Sequence, residues 1–321
     1  VIGCASFLFI LLFTLAILLI WLNLPYRTFP IRAYFAKENV LAAQFDISMK
    51  NELIARSFTA IVRMMSHRRH NSLPLEKRKA AVESDMESIA HLKGLPAFDG
   101  TLLATAEGTK EEWIFFAPIP AQDKLCQILF DISTLFVPSR KLQRVNSAKI
   151  IVHKDKNSGL LKGFSIFKGH GLMGQVEPPI RLVTKRLKEG PLKNPPDSFI
   201  SRYWPKKKHL VNLVIDNRKE TLGRLLGSKG QKTDYFSGLV LKGNMVSLNV
   251  MEVQCNFHLR RHLDEESFAN WLRDMTDTLL PAPFDIEIKK IVKEEKLYRT
   301  TLLVKGISTA VKQLEKTSEA G

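Results

Sequence analysis

HLVNLVI (His209–Ile215), RKETLGRLL (Arg218–Leu226) and NMVSLNVMEVQCNFHL (Asn244–Leu259) carry the information that assigns this chain to a fold class. The first is strand-like and the last reads as one long strand. The middle one is rich in helix formers and reads as a helix. DEESFANWLRDMTDTLL (Asp264–Leu280) then puts Phe268, Trp271, Leu272 and Met275 on one face, with acids in its first turn, and reads as an amphipathic helix. FDIEIKKIV, a KEEK turn and YRTTLLV make a hairpin, and STAVKQLEK closes as a short helix. The order β-α-β-β-α predicts an antiparallel sheet with helices on one face, in a ferredoxin-like or split βαβ arrangement.

Upstream, EGPLKNPPDSFISRYWPKKK (Glu189–Lys208) is rich in Pro and Lys and reads as a linker with a basic end. Before it, EEWIFFAPIP reads as a strand and DKLCQILFDISTLFV as an apolar helix. SAKIIVHKDKNSGLLKGFSIFKG (Ser147–Gly169) reads as a hairpin, so Trp113 to about Lys188 repeats the same order more loosely. GLPAFDGTLLAT is turn-rich and marks a boundary near residues 94–110. Residues 39–92 read as mostly helical, with Leu53, Ile54, Phe58, Ile61, Val62 and Met65 on one face.

The first 22 residues, VIGCASFLFILLFTLAILLIWL, carry no charge and are long enough to cross a bilayer core as a helix. Trp21 and Tyr26 stand where an interfacial belt belongs, and Pro25 and Pro30 end the run. A retained single-pass anchor is expected, with Arg27, Arg32 and Lys37 holding the next domain on the cytosolic side. The endoplasmic reticulum is favoured, with a mitochondrial or plastid membrane the alternatives. The resulting fold class is α+β: a transmembrane anchor (1–24), a juxtamembrane helical region (25–93), an α+β module (94–188), the linker (189–208) and a second α+β module (209–321).

The chain has 321 residues and a formal net charge of +16, which favours anionic partners such as RNA, the ribosome or acidic lipid. Three cysteines, Cys4, Cys126 and Cys255, show no metal-ligand spacing. Cys126 and Cys255 allow one bridge or two buried thiols. No metal and no cofactor is expected, and no catalytic residue is assigned. The chain lacks a Gly-Lys dipeptide and hence a P-loop, and it has no GxSxG elbow and no HExxH helix. FHLRRHLDEE (Phe257–Glu266) is a dense polar cluster. His258, His262 and Asp264 serve an enzyme reading, that of a membrane-bound lipid-modifying enzyme, while helix-end electrostatics accounts for the same acids. HRRH (His67–His70) reads as a solvated basic helix end.

GRLLGSKGQKT (Gly223–Thr233) concentrates glycine and positive charge. Its Gly227-Ser228-Lys229-Gly230 resembles the RNA-clamping GxxG turn of KH domains, which lies between two helices. That resemblance implies backbone N–H groups approaching phosphates, with Lys229 and Lys232 adding charge. LKGFSIFKG (Leu161–Gly169) is similar to the third strand of an RRM, with Phe164 and Phe167 as the stacking pair that resemblance implies. Phe164 and Phe167 are three apart, so a flat strand points them to opposite faces. The layout of one anchor and a basic α+β region is also similar to that of calumin-type, ribosome-associated membrane proteins of the endoplasmic reticulum. The expected function is therefore non-catalytic docking to an anionic partner, RNA or ribosome or acidic membrane. The binding residues are Lys206, Lys207, Lys208, Arg224, Gly227, Lys229, Gly230 and Lys232. A structural subunit contacting protein partners is the remaining alternative.

Overall fold

The computed structural model describes Leu24, Tyr26, residues 29–47, seven positions between 52 and 66, and residues 74–90, 98–107, 110–119, 122–154, 161–190, 192, 196–226, 233–279 and 283–320. The chain divides into two compact units. One joins the residues up to Ala36 with Thr109–Pro195, and the other joins Lys37–Gly108 with Pro196–Gly321.

The first unit holds strands β3 (Lys110–Pro118), β4 (Leu142–Val145), β5 (Ala148–Lys154), β6 (Leu161–Phe167) and β7 (His170–Gln175), in the order β3-β7-β6-β5-β4. Every pairing is antiparallel. The two-residue turns Asn146-Ser147 and Lys168-Gly169 have positive φ throughout, the backbone that matches strand twist in a tight hairpin. From Gly163 onward β6 alternates: Gly163, Ser165 and Phe167 are buried, whereas Phe164 is exposed. The buried face carries Ile114, Phe116, Ile150 and Leu172; the helical turn Val176–Ile180 packs against β3, β6 and β7 and leads into helix α3 (Arg181–Glu189), where Val183 and Leu187 are buried. Gly163 is required here, because a Cβ would lie 2.5 Å from Ile150 Cγ2. Helix α2 (Asp123–Ser133) packs against β6 through Phe130, whose ring meets Phe164 edge-on at 5.7 Å. Since Phe164 lies opposite the buried Gly163 and Ser165, α2 covers the other face.

The second unit holds β1 (Asn39–Ile47), β2 (Phe98–Glu107), β8 (Val211–Asp216), β9 (Phe236–Ser247), β10 (Val250–Leu259), β11 (Asp285–Glu294) and β12 (Leu297–Lys305), in the order β11-β12-β10-β9-β8-β1-β2. These pairs are antiparallel too. Helices α1 (Leu75–Ala90), α4 (Phe199–Tyr203), α5 (Thr221–Leu226), α6 (Glu265–Leu279) and α7 (Ile307–Ala320) complete the unit. The core is an aromatic cluster. Phe236, Phe257, Phe268 and Tyr298 are each 0% exposed, Phe268 stacks on Tyr298 at 4.1 Å, and Trp271 lies 4.7 Å from Phe236. Tyr298 donates its buried hydroxyl hydrogen to Leu263 O at 2.8 Å, so the ring enters the core without an orphaned polar atom. The described positions between 52 and 66 are helical, and Arg56 makes a two-pronged ion pair with Glu315 of α7.

Four expectations are corrected. No helix among the described residues is long and apolar enough to cross a membrane. The longest, α1, has 16 residues and is studded with Lys, Arg and Glu. The single-pass anchor, and with it the cytosol-facing orientation and the reticulum assignment, is therefore not carried by this structure. The apolar run behind that expectation, 1–22, lies outside the described residues, and apolar composition alone does not make a spanning helix. Second, the ferredoxin-like modules are replaced by long antiparallel meanders. β8 and β9 flank α5 yet are antiparallel neighbours, whereas a βαβ crossover returns parallel. Third, β1 stands where a helical region was expected. Its Leu-Ala-Ala run favours a helix in isolation, but pairing on both sides, to β2 and β8, overrides that preference. Fourth, Asn244–Leu259 is not one strand: Leu248-Asn249 turns β9 into β10. The turn-rich boundary at 94–110 likewise contains β2, with Gly100 in register with Phe45.

Candidate functional site

Two kinds of surface stand out: the basic residues conspicuous in the sequence, and an apolar face in the first unit. Among the basic residues, Lys206 and Lys207 are exposed, between α4 and β8. Lys208 is engaged, with Nζ 2.9 Å from Asp99 Oδ1 and 3.5 Å from Asp46 Oδ2. The hydrogen bond to Asp99 raises its pKa and keeps it charged. Arg224 donates from Nη2 to Lys219 O at 2.7 Å, which holds its guanidinium over the turn before α5. That turn lies past the far end of β8, so roughly 20 Å of strand separates Lys208 from it. Gly227, Lys229, Gly230 and Lys232 lie outside the described residues, as does His67–His70. After the GxxG loop the chain enters a 3₁₀ turn (Thr233–Tyr235) and then β9, where a KH fold needs a second helix.

The polar cluster at 257–266 is dispersed into separate jobs. His258 is set among the rings of Phe199 and Tyr203, at 5.2 and 4.0 Å, and burial, with the nearby Arg299 charge, pushes its pKa down to about 4. Phe199 reaches this place because Gly238 lies beneath it: a Cβ there would sit 2.3 Å from the Phe199 ring. His262 is exposed. Asp264 caps α6, its Oδ1 accepting from Ser267 N at 2.7 Å. No group of three or more His, Cys, Asp or Glu able to hold a metal occurs among the described residues. Cys126 and Cys255 are free thiols, and burial pushes Cys255 up to about 12.

The apolar face is the surface that sequence reasoning misses. α2 buries Phe130 and turns Leu129 (57% exposed) and Ile132 outward. The adjoining 3₁₀ turn (Thr134–Phe136) presents Leu135 at 75% and Phe136 at 84% exposure. Phe164 and Met173, cross-strand partners on β6 and β7, are half-exposed on the sheet face that α2 packs against. The helix is held at several points. Tyr26 N donates to Asp123 Oδ2 at 2.7 Å, Lys168 N to Gln127 Oε1 at 3.0 Å, and Lys149 Nζ lies 3.2 Å from Asp131 Oδ1. Immediately after the apolar turn come exposed Arg140, Lys141 and Arg144, and no carboxylate occurs from Ile132 to Asn146. The signal that could have found this face is in DKLCQILFDISTLFV: its apolar residues circle more of the helix than one sheet face can cover.

No family model matches the chain. No curated protein matches it either. Among solved structures, the chain is similar to one described as "Structure of crystal form IV of TP0453", at 11% identity over 92% of this chain and 96% of that one, with a TM-score of 0.41.

Proposed function

We propose that this chain is a non-catalytic docking protein whose first unit settles on an acidic lipid surface through α2 and the turn after it. The observation that carries the reading is the exposed pair Leu135 and Phe136 beside Arg140, Lys141 and Arg144. An apolar tip of this kind enters the headgroup boundary, and each cation near an anionic surface adds about 1 kcal/mol. The net charge of +16 strengthens the approach at low salt. Docking of this kind needs no spanning helix. RNA, including ribosomal RNA, is the rival partner, favoured by exposed Lys206 and Lys207.

Co-sedimentation of the full chain with phosphatidylcholine vesicles, with and without phosphatidylserine, tests the reading. Binding is expected only with the anionic lipid, to weaken steeply with salt, and to fall at least tenfold in Leu135→Ser/Phe136→Ser, since burying each side chain contributes about 1.5–3 kcal/mol. Unchanged binding in that variant, or binding to RNA without binding to vesicles, overturns it.

A further inference from the structure

The second unit contains a feature that docking through α2 leaves unused. Between α6 and the sheet lies a cavity of about 370 Å³. Its floor is one face of four neighbouring strands: Val211, Leu213 and Ile215 of β8, Leu239, Leu241 and Gly243 of β9, alternate residues of β10 from Met251 to Phe257, and Leu302 and Val304 of β12. Trp271, Met275 and Thr276 of α6 and Leu222 of α5 complete the wall. The size falls within the range of about 300–1,000 Å³ typical of small-molecule pockets. Val211, Met251, Val253 and Met275 are partly exposed and form the mouth, while Phe257, Leu239 and Trp271 are buried at the deep end.

A further observation points to an occupant. Gly243 interrupts a strand without a packing reason. A Cβ there meets only Met251 Sδ at 3.4 Å and Val211 Cβ at 3.6 Å, ordinary contacts, whereas Gly238 on the same strand has no room for one. A glycine costs a strand stability, and here its effect is to keep the cavity open. Among its described residues the wall carries no charged side chain, so whatever enters is uncharged along its buried length. Cys255, whose thiol burial pushes up to about 12, reports the same dry surroundings.

We infer that this cavity binds the acyl chain of an uncharged ester lipid. The site is independent of the docking face, lying wholly in the other unit. A monoacylglycerol brominated along its chain, added to the full-length protein, is the probe. Bromine quenches tryptophan on close approach, so the fluorescence of Trp271 is expected to fall saturably, and Trp271→Phe is expected to remove that quenching. Gly243→Ile, which fills the cavity, is expected to weaken binding at least tenfold while the thermal melt holds or rises. Leu241→Phe, which fills it without touching the glycine, is expected to do the same. Quenching that persists at full amplitude in Trp271→Phe, no quenching in the wild type, or wild-type affinity in both filled variants overturns the inference. Vesicle co-sedimentation of Gly243→Ile separates the two readings: it is expected to match the wild type even where lipid uptake is lost.

Discussion

Helices α2 and α6 are the same device put to opposite uses. Each is an amphipathic helix of three to four turns on an antiparallel sheet. In the second unit the apolar face of α6 is largely covered: Phe268 and Leu272 are 0% exposed, and the space left over lies between the helix and the sheet. In the first unit α2 buries Phe130 and leaves Leu129, Ile132, Leu135 and Phe136 facing outward. The difference lies in the sheets. β9, β10 and β12 offer α6 long strands of nine to twelve residues with large aromatics, whereas β6 and β7 offer α2 six or seven residues interrupted by Gly163, Gly171 and Gly174. Greasy surface hidden in one unit stabilises it, and greasy surface shown by the other is available to a partner.

Truncating each helix in turn puts this contrast under the most strain. Phe268→Ala opens the aromatic cluster and is expected to cost about 3–5 kcal/mol in urea unfolding. A smaller effect is read in the pH dependence of stability. His258 is held neutral in its aromatic setting, with a pKa near 4 against an ordinary 6.5. The unfolded chain therefore takes up this proton first, so the contribution to stability is complete above about pH 6.5 and is lost as pH falls towards 4. His170 of the first unit is shifted in the same direction by burial near Tyr34 and Phe116. His258→Gln is expected to flatten part of the acid limb in urea midpoints measured between pH 7 and pH 4.5, leaving the share due to His170. At the small end, Leu129→Ala is expected to change stability by no more than about 0.5 kcal/mol, because the side chain it removes is mostly in water. A loss comparable to that of Phe268→Ala would show that α2 is core after all.

Much of this is legible in the sequence, and the failures share one cause. α6, α2, the β5–β6 and β11–β12 hairpins and the acids that open α6 are local patterns, and local patterns are enough to find them. β1 escapes because nothing in NVLAAQFDI reveals that Ile215 and Leu102 will pair on either side of Leu41 and Ala43. The sheet order escapes for the same reason, since register and neighbours are long-range choices. The candidate site fares worst. Basic residues are conspicuous as letters, yet Lys208 and Arg224 are held by neighbours that sequence does not place beside them. The apolar face of α2 and the cavity under α6 are both defined by which side chains a helix leaves uncovered, and that depends on the pleat beneath it.

Whether α2 is the membrane-facing helix and α6 the enclosed one can be decided by amide hydrogen exchange of the full chain, with and without phosphatidylserine-containing vesicles. Added protection is expected at Asp123–Lys141, with Glu265–Leu279 unchanged. Protection confined to residues 206–232, or none at Asp123–Lys141 when the protein is vesicle-bound, would contradict it.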